Sequence, residues 1–300
     1  MHHIESVTLD ELECWHFQHG QAQLLVAKQG AQVLSYQVGD EPPIIWLNEK
    51  AQFKQGHGIR TGVPVCWPWF GNLALNPQSV QAMRHSDEPA TAHGLVRTRE
   101  WEVLEIDDAG EALHIALGLP HIEGGLPGWP HDVALTLNIR LDSQLHISLT
   151  SHNRSSIPVS ISQALHSYFA VSDIQQVQVS GLHDCHYLET LDDWQLRQQQ
   201  GALRFSGETD RIYLGLPDCL YLDDPLWQRR LCLESQGSRS AILWNPWQDK
   251  AQRLSQFPAQ AWQQMLCIET ANVWDDCLHL APGAQHSLQL RLSSQALPAR

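Results

Sequence analysis

Alternation of apolar and polar residues at every second position is the feature that most constrains what this sequence can fold into. Apolar side chains occupy every odd position of 133–141, and the pattern resumes at Leu145 after the polar residues Asp142 and Ser143. Such alternation predicts strands buried on one face, and two runs across a short turn predict an antiparallel hairpin. Similar runs span 22–27, 31–38, 112–119, 157–165, 240–244 and 286–292.

Helical periodicity is scarce, and the best candidate is a short helix over 258–265. Clusters of Gly, Pro, Asn and Asp separate the predicted strands, and strands do not alternate with helices. This organisation predicts an all-β protein, a large antiparallel β-sandwich with few short helices. No linker or internal repeat divides the sequence, so we expect a single domain over residues 1–300.

The charge balance argues against large anionic partners. The chain has 19 basic and 33 acidic residues, which gives a formal net charge of −14. An acidic surface repels phosphate backbones and anionic lipid, so we expect no nucleic-acid partner and no membrane partner. An anionic ligand would have to be held by a few local arginines against this field.

Composition also indicates the class of chain and its compartment. Apolar residues make up 43% of the sequence and charged residues 17%, which is typical of a chain with a large core. The N-terminal residues have neither the basic nor the apolar region of a secretion signal. The seven cysteines are odd in number and form no CxxC pair. We therefore expect reduced thiols in a cytoplasmic protein.

The common cofactor and metal motifs are missing. The glycine-rich segment 56–62 has the spacing of neither a dinucleotide-binding nor a P-loop motif, and no GxSxG or HExxH sequence occurs. The densest histidine cluster, 183–186, has no second ligand pair elsewhere, so surface histidines explain it better than a zinc site. We expect no cofactor and no metal.

Two arginine-containing segments differ from ordinary strands. Segment 60–72 is rich in Pro, Gly and Trp, and it is either a packed surface loop or an aromatic pocket wall beside Arg60. In segment 92–101, Arg97 and Arg99 have the same strand parity and could project to one face. They could bind an anionic group, although ion pairs with neighbouring glutamates are the ordinary alternative.

Two further segments carry candidate acid–base residues. In 157–169 the odd positions, from Ile157 onwards, predict a core face, whereas the even positions are small or polar and lead to His166 and Tyr168. The pattern leaves a structural and a functional histidine equally open. Glu269 lies near the end of the mostly apolar strand 265–273, where a carboxylate must be paired, hydrogen-bonded or used.

These residues resemble the hexose-6-phosphate mutarotases, the glucose-6-phosphate 1-epimerase branch of the galactose-mutarotase-like proteins. The resemblance runs through most of the chain in six short motifs that occur in the family's order. They are 60–72, 93–101, 164–169, 209–213, 244–247 followed by Lys250, and 267–273 with Pro282-Gly283 downstream.

The resemblance implies a galactose mutarotase-like supersandwich with one wide cleft, acting on a small hexose 6-phosphate without a metal. The implied site residues are the catalytic pair His166 and Glu269, the substrate-binding arginines Arg60 and Arg97, the substrate-contacting Asp210, and the motif histidine His93. Relatives often have Gln immediately before the His-Gly of this motif, where this chain has Ala92. We therefore expect one sugar contact to be lost or supplied differently.

A mechanism follows from reference pKa values. Glutamate is ionised at neutral pH and histidine titrates near it, so we expect Glu269 to take the proton of the anomeric hydroxyl and His166 to protonate the ring oxygen. Arg60 and Arg97 would bind the 6-phosphate, with Arg99 and Lys250 as weaker candidates. Three alternatives stay open: a non-catalytic carbohydrate-binding protein, a glycosidase with two carboxylates, and a metal-dependent isomerase.

Overall fold

The computed structural model describes residues 2–108 and 110–298, and strands dominate them. Strands comprise 47% of the structure and helices 6%, which confirms the all-β prediction. The strands, in chain order, are β1 (His2–Leu9), β2 (Leu12–His19), β3 (Ala22–Ala27), β4 (Val33–Val38), β5 (Val65–Cys66), β6 (Glu102–Asp108), β7 (Leu113–Gly118), β8 (Val133–Leu141), β9 (Leu145–Asn153), β10 (Val159–Ile161), β11 (Gln163–Leu165), β12 (Tyr168–Ala170), β13 (Gln178–Ser180), β14 (His186–Glu189), β15 (Gln195–Gln198), β16 (Leu203–Arg204), β17 (Thr209–Leu214), β18 (Cys219–Asp224), β19 (Arg229–Gln236), β20 (Ser240–Asn245), β21 (Met265–Asn272), β22 (Leu278–Leu280) and β23 (Gln285–Ala296).

The helices are short. Two are α-helical, α1 (Gln78–Gln81) and α2 (Trp247–Ala251), and three are 3₁₀ turns at Leu73–Leu75, Ala261–Gln264 and Trp274–Asp276. The helix predicted over 258–265 is thus reduced to one 3₁₀ turn. In the described part of the chain, no helix has the length and apolar character needed to span a bilayer.

A nine-stranded antiparallel sheet, in the order β16-β13-β18-β19-β23-β9-β8-β7-β6, forms one layer. The predicted hairpin is its β8–β9 pair, in which Leu141 lies opposite Leu145. Alternate residues of β9 are buried along its whole length, because the strand presents one face to the core and the other to solvent. The period-two pattern of the sequence is therefore the signature of this layer.

The second layer is an eight-stranded antiparallel sheet in the order β15-β14-β17-β20-β21-β11-β5, with β12 also paired to β21. Its inner face packs on the nine-stranded sheet, and polar contacts cross the interface. The hydroxyl groups of Ser235 and Thr270 lie 2.9 Å apart, and the indole of Trp67 donates to the Ser151 hydroxyl over 3.1 Å. A four-stranded sheet, β1–β4, and the β10–β22 pair complete the fold.

Strands β20 and β21 are buried at every position, unlike the strands of the nine-stranded layer. They lie at the centre of the eight-stranded sheet, so one face meets the core while the other lies at the bottom of a cleft whose walls are loop residues. This second face of β21 carries Cys267 and Glu269, because Thr270, of opposite parity, points towards the core.

The alternation predicted for 157–165 holds only in part. The segment divides into β10, which pairs with β22, and β11, which belongs to the eight-stranded sheet. Ile157, predicted to lie in the core, precedes both strands and is 50% exposed. The prediction of strands was correct, but the assignment of Ile157 to the core was wrong. An apolar side chain beyond the end of a strand is not necessarily covered by the sheet.

Candidate active site

The floor of a cleft of about 510 Å³ is built from three adjacent strands of the eight-stranded sheet. Asp210 on β17 lies opposite Trp244 on β20, and Ile242 on β20 lies opposite Glu269 on β21. All four side chains line the cleft because residues two apart on a strand share one face. The sheet register therefore fixes the spacing of the polar groups on this floor.

His166 lies in the two-residue connection between β11 and β12, both of which pair with β21. Leu165 lies opposite Thr270 and Tyr168 opposite Cys267, so the register places His166 opposite Glu269. The His166 Nε2 and Glu269 Oε1 atoms are 3.4 Å apart. The imidazole stacks on the Tyr168 ring, at 4.9 Å between centroids and an interplanar angle of 9°, which fixes its orientation. The two residues singled out by the sequence thus face one another in one cleft.

Burial moves the pKa values of this pair in opposite directions. The Glu269 carboxyl is almost inaccessible, and desolvation together with the charge of Asp210 raises its pKa well above the ordinary value. Desolvation, with the nearby His93 and Arg97, lowers the pKa of His166 well below its ordinary value. Both shifts favour the uncharged forms, so the reference values used in the sequence analysis do not describe this pair.

His93 and Phe70 line the cleft beside His166. The ring centroids of His93 and His166 are 5.3 Å apart, and those of His93 and Phe70 are 5.0 Å apart. Burial, reinforced by Arg97 and Arg60, lowers the pKa of His93 to about 3. His93 is therefore neutral at physiological pH. Ala92, which precedes it, is exposed and is not part of the cleft lining.

Asp210 belongs to a charged group on the opposite side of the floor. The Lys250 ammonium lies 2.7 Å from Glu208 Oε1 and 3.8 Å from Asp210 Oδ2. Burial raises the pKa of Asp210, and Lys250 acts against this increase. Asp210 and Lys250 both line the cleft, so they can contact a ligand hydroxyl or anionic group there.

The two candidate arginines differ in position. Arg60 lines the cleft, whereas Arg97 lies behind its lining with its guanidinium against Gly58. Arg97 is still close enough to affect the pKa values of His93, His166 and Glu269. The predicted strand that would project Arg97 and Arg99 to one face is wrong, because 92–100 forms turns that the glycine at position 94 permits.

The aromatic residues of segment 60–72 do not form the pocket wall that was one of its two interpretations. Trp67 and Trp69 are each 1% exposed and belong to the core, and only Phe70 of these aromatic residues lines the cleft. Sequence reasoning missed Trp194 and Trp274, which stack at 5.3 Å and 17° on the cleft margin. Both lie in connections with positive φ, which no strand or helix pattern reveals.

One group of described side chains has the geometry for a metal ion. Ligand atoms of His166, Cys267 and Glu269 lie within 4.8 Å of one another. Imidazole, thiolate and carboxylate are zinc ligands, but the positive charges of Arg60 and Arg97 act at this position and oppose a cation. The same charges suit an anionic substrate.

The fold and this cleft define a galactose mutarotase-like β-sandwich. A solved structure described as a "putative mutarotase" from Salmonella typhimurium superimposes with a TM-score of 0.87 at 26% identity, covering 98% of this chain and 94% of that one. The sheets and the cleft floor described above therefore represent a known architecture.

The chain belongs to the aldose 1-epimerase family, whose model matches residues 13–293. Two relatives, each named "Putative glucose-6-phosphate 1-epimerase", are similar over most of their length. The Escherichia coli K12 protein is 32% identical over 263 residues, covering 88% of this chain and 84% of the relative. The Cenchrus ciliaris protein is 32% identical over 276 residues, covering 88% and 79%. The protein is thus an isomerase of the epimerase class.

Proposed function

We propose that the protein interconverts the α and β anomers of a hexose 6-phosphate, with glucose 6-phosphate as the first substrate to test. The single observation that carries the proposal is the buried His166–Glu269 pair, 3.4 Å apart, on the floor of an open cleft. An imidazole and a carboxyl group at this separation can serve two neighbouring oxygens of one hemiacetal. The names of the relatives supply the substrate class.

Ring opening requires two proton movements. Glu269 accepts the proton of the anomeric hydroxyl while His166 donates a proton to the ring oxygen, so that the C1–O5 bond breaks and an aldehyde forms. Rotation about C1–C2 then presents the other face of the aldehyde. In closure His166 takes back its proton and Glu269 returns its own to O1. No redox step occurs, and protons balance over each cycle.

Burial of His166 and Glu269 affects the closed-ring and open-chain states of the reaction differently. With the ring closed, the reactive form has a protonated His166 and an ionised Glu269, which burial disfavours. With the ring open, both groups are neutral, which burial favours. Opening the ring therefore discharges the pair, and desolvation stabilises the open-chain side of the reaction relative to the closed ring.

The phosphate-binding role rests on the arginines. Arg60 lines the cleft and Arg97 does not, and both act electrostatically on His166. In a chain with a net charge of −14, these cations provide a local site for a phosphate group. Losing one charge-assisted contact should weaken binding by roughly tenfold to over a hundredfold.

The decisive experiment is magnetisation-exchange NMR between α- and β-glucose 6-phosphate. His166→Asn and Glu269→Gln should each slow enzyme-catalysed exchange by about 10²–10⁴-fold, the contribution of a positioned acid or base. Matched controls are His131→Asn and Glu189→Gln, which change buried residues outside the cleft. If a folded His166 or Glu269 variant keeps the wild-type rate, the proposed mechanism is wrong.

A second experiment tests the phosphate. Arg60→Ala should raise KM for glucose 6-phosphate while affecting unphosphorylated glucose much less. Arg97→Ala should raise this KM too, but it also removes a charge that acts on His166 and Glu269, so it should lower kcat on both sugars. Arg154→Ala provides a control, because Arg154 is an exposed arginine outside this cleft. Equal losses on both sugars would remove the phosphate role of these arginines.

A further inference from the structure

His93 is held in an unusual backbone conformation beside the catalytic pair. Its φ is +63°, in the left-handed region, and that of Gly94 is +81°. A Cβ atom at Gly94 would lie 2.0 Å from the carbonyl oxygen of Trp67, so only glycine fits there. The His93 amide also donates to the Gly71 carbonyl over 2.8 Å. A non-glycine residue kept in this region indicates that its position matters.

The contacts of the His93 ring determine which nitrogen carries the proton. The backbone amide of Gly71 lies 3.3 Å from His93 Nδ1 with hydrogen-bond geometry. A backbone N–H can only donate, so Nδ1 must be the acceptor. In a neutral imidazole the proton is then on Nε2.

The contact with Cys66 also requires an unprotonated Nδ1 on His93. Its Sγ atom lies 3.4 Å from His93 Nδ1, and the side chain is fully buried. Burial raises the pKa of this thiol, so the sulfur retains its hydrogen. Because Nδ1 carries no proton, the thiol is the donor in this contact. Two donors on separate segments of the chain therefore converge on one ring nitrogen.

The Nε2 side of the ring faces the cleft. His93 lines the cleft, and no hydrogen bond within residues 2–108 and 110–298 engages its Nε2. The ring of His93 lies edge-to-face against that of His166, at 5.3 Å between centroids, so both imidazoles border the same part of the cleft.

We propose that Cys66 and Gly71 hold His93 as the neutral Nε2–H tautomer, and that this N–H is a fixed hydrogen-bond donor to the sugar oxygen beside His166. The inference rests on the proposed function for its substrate, but the tautomer rests on the protein contacts alone. Cys66 is thus a positioning residue, which acts through His93 without touching the sugar.

A neutral His93 matters for the proton transfer next to it. A positive charge on His93 would repel the proton that His166 must receive back when the ring closes. A neutral donor instead stabilises negative charge on the sugar oxygen without exchanging a proton of its own. With His93 held in one neutral tautomer, the two adjacent imidazoles have different roles: His166 transfers protons and His93 does not.

The tautomer can be measured directly by ¹⁵N NMR of histidine-labelled wild-type protein, with the His93 signals assigned from their loss in His93→Gln. We expect a protonated Nε2, an unprotonated Nδ1, and shifts that stay constant from about pH 5 to about pH 9. His57 is an internal reference of the opposite tautomer, because its Nδ1 lies 2.9 Å from the Gln55 carbonyl. Proton on Nδ1, or titration of His93 near 6.5, would overturn the proposal. The groups that face His93 are Arg60, Cys66, Phe70, Arg97 and His166.

Two pairs of variants connect the tautomer to the reaction. His93→Gln can place an amide N–H at the Nε2 position and should keep substantially more activity than His93→Phe, which should lose about 10²-fold in kcat. Cys66→Ser retains a donor, whereas Cys66→Ala should lower kcat roughly fivefold and add a minor Nδ1–H signal to the spectrum. Equal activity within both pairs would contradict the proposal.

The outcomes separate this proposal from the proposed function. If the NMR spectrum shows Nε2–H but no sugar phosphate is epimerised, the tautomer stands and the function fails. If glucose 6-phosphate is epimerised while Nδ1 of His93 carries the proton, the proposed function stands and the proposed tautomer is wrong. The assignment variant His93→Gln must fold but need not be active, so the tautomer remains testable in either case.

Discussion

The stability of Glu269→Gln relative to wild type should increase as pH rises above neutral, although the substitution removes half of the proposed acid–base pair. Glu269 is 1% exposed, and burial raises the pKa of its carboxyl well above the ordinary value. Above the pKa of an ordinary glutamate, about 4.3, the unfolded chain has released this proton while the folded protein still holds it. Folding then binds a proton, so stability falls as pH rises through this window.

The size of the effect is limited by one proton. Between the two pKa values of a single group, the free energy of unfolding changes by at most about 1.4 kcal/mol per pH unit. His166 contributes with the opposite sign, because its lowered pKa makes stability rise as pH increases towards about 6.5, where its contribution is complete. Above about pH 6.5, therefore, only Glu269 of this pair still changes the free energy of unfolding with pH, and it lowers it.

Urea unfolding from about pH 6.5 to about pH 9 would measure this difference. The stability of Glu269→Gln relative to wild type should increase across this range, with a slope no greater than the single-proton limit. Glu189→Gln is the matched control, because this buried carboxylate is paired with Arg211 at 2.9 Å and its loss should lower stability by a nearly constant amount. Parallel curves for wild type and Glu269→Gln would refute the reasoning.

Three further predictions concern the packing and the cleft. Gly94→Ala should lower the melting temperature, because its Cβ would lie 2.0 Å from a carbonyl oxygen, whereas Gly207→Ala has open space and should not. Leu149→Ala, fully buried, should lower the unfolding free energy by about 2–5 kcal/mol in urea, and Leu196→Ala, 61% exposed, by less than about 0.5 kcal/mol. Trp274→Ala should raise KM in the NMR exchange assay more than it lowers kcat, because Trp274 borders the cleft and its ring stacks on Trp194. A selective loss of kcat would contradict that last role.

The strand pattern was predictable because the two-residue period is a local property of the sequence. Run 22–27 coincides with β3, and 133–141 coincides with β8. The pairing of His166 with Glu269 is not local, since the two residues are 103 positions apart in the sequence. Family resemblance selected both residues, whereas periodicity alone left His166 undecided. Only the register of β11 and β12 on β21 explains why they meet.

The residues that sequence reasoning misplaced lie where backbone turns override local pattern. Arg97 and Arg99 have strand parity in the sequence, but left-handed residues at His93 and Gly94 bend the chain before them. Trp194 also has positive φ and reaches the cleft margin from a connection with no apolar period. Such positions depend on long-range packing, which a single sequence does not express.

The floor of the cleft belongs to the central strands, whereas its margin comes from connecting segments such as those carrying Phe70, Trp194 and Trp274. A strand residue cannot shift without disturbing the hydrogen-bonded ladder on both sides. Connecting segments tolerate replacement far better. Sugar preference can therefore change through substitutions at the margin. The proposed acid–base pair is held more firmly, because Glu269 lies on β21 and His166 lies in a two-residue connection whose flanking strands both pair with β21.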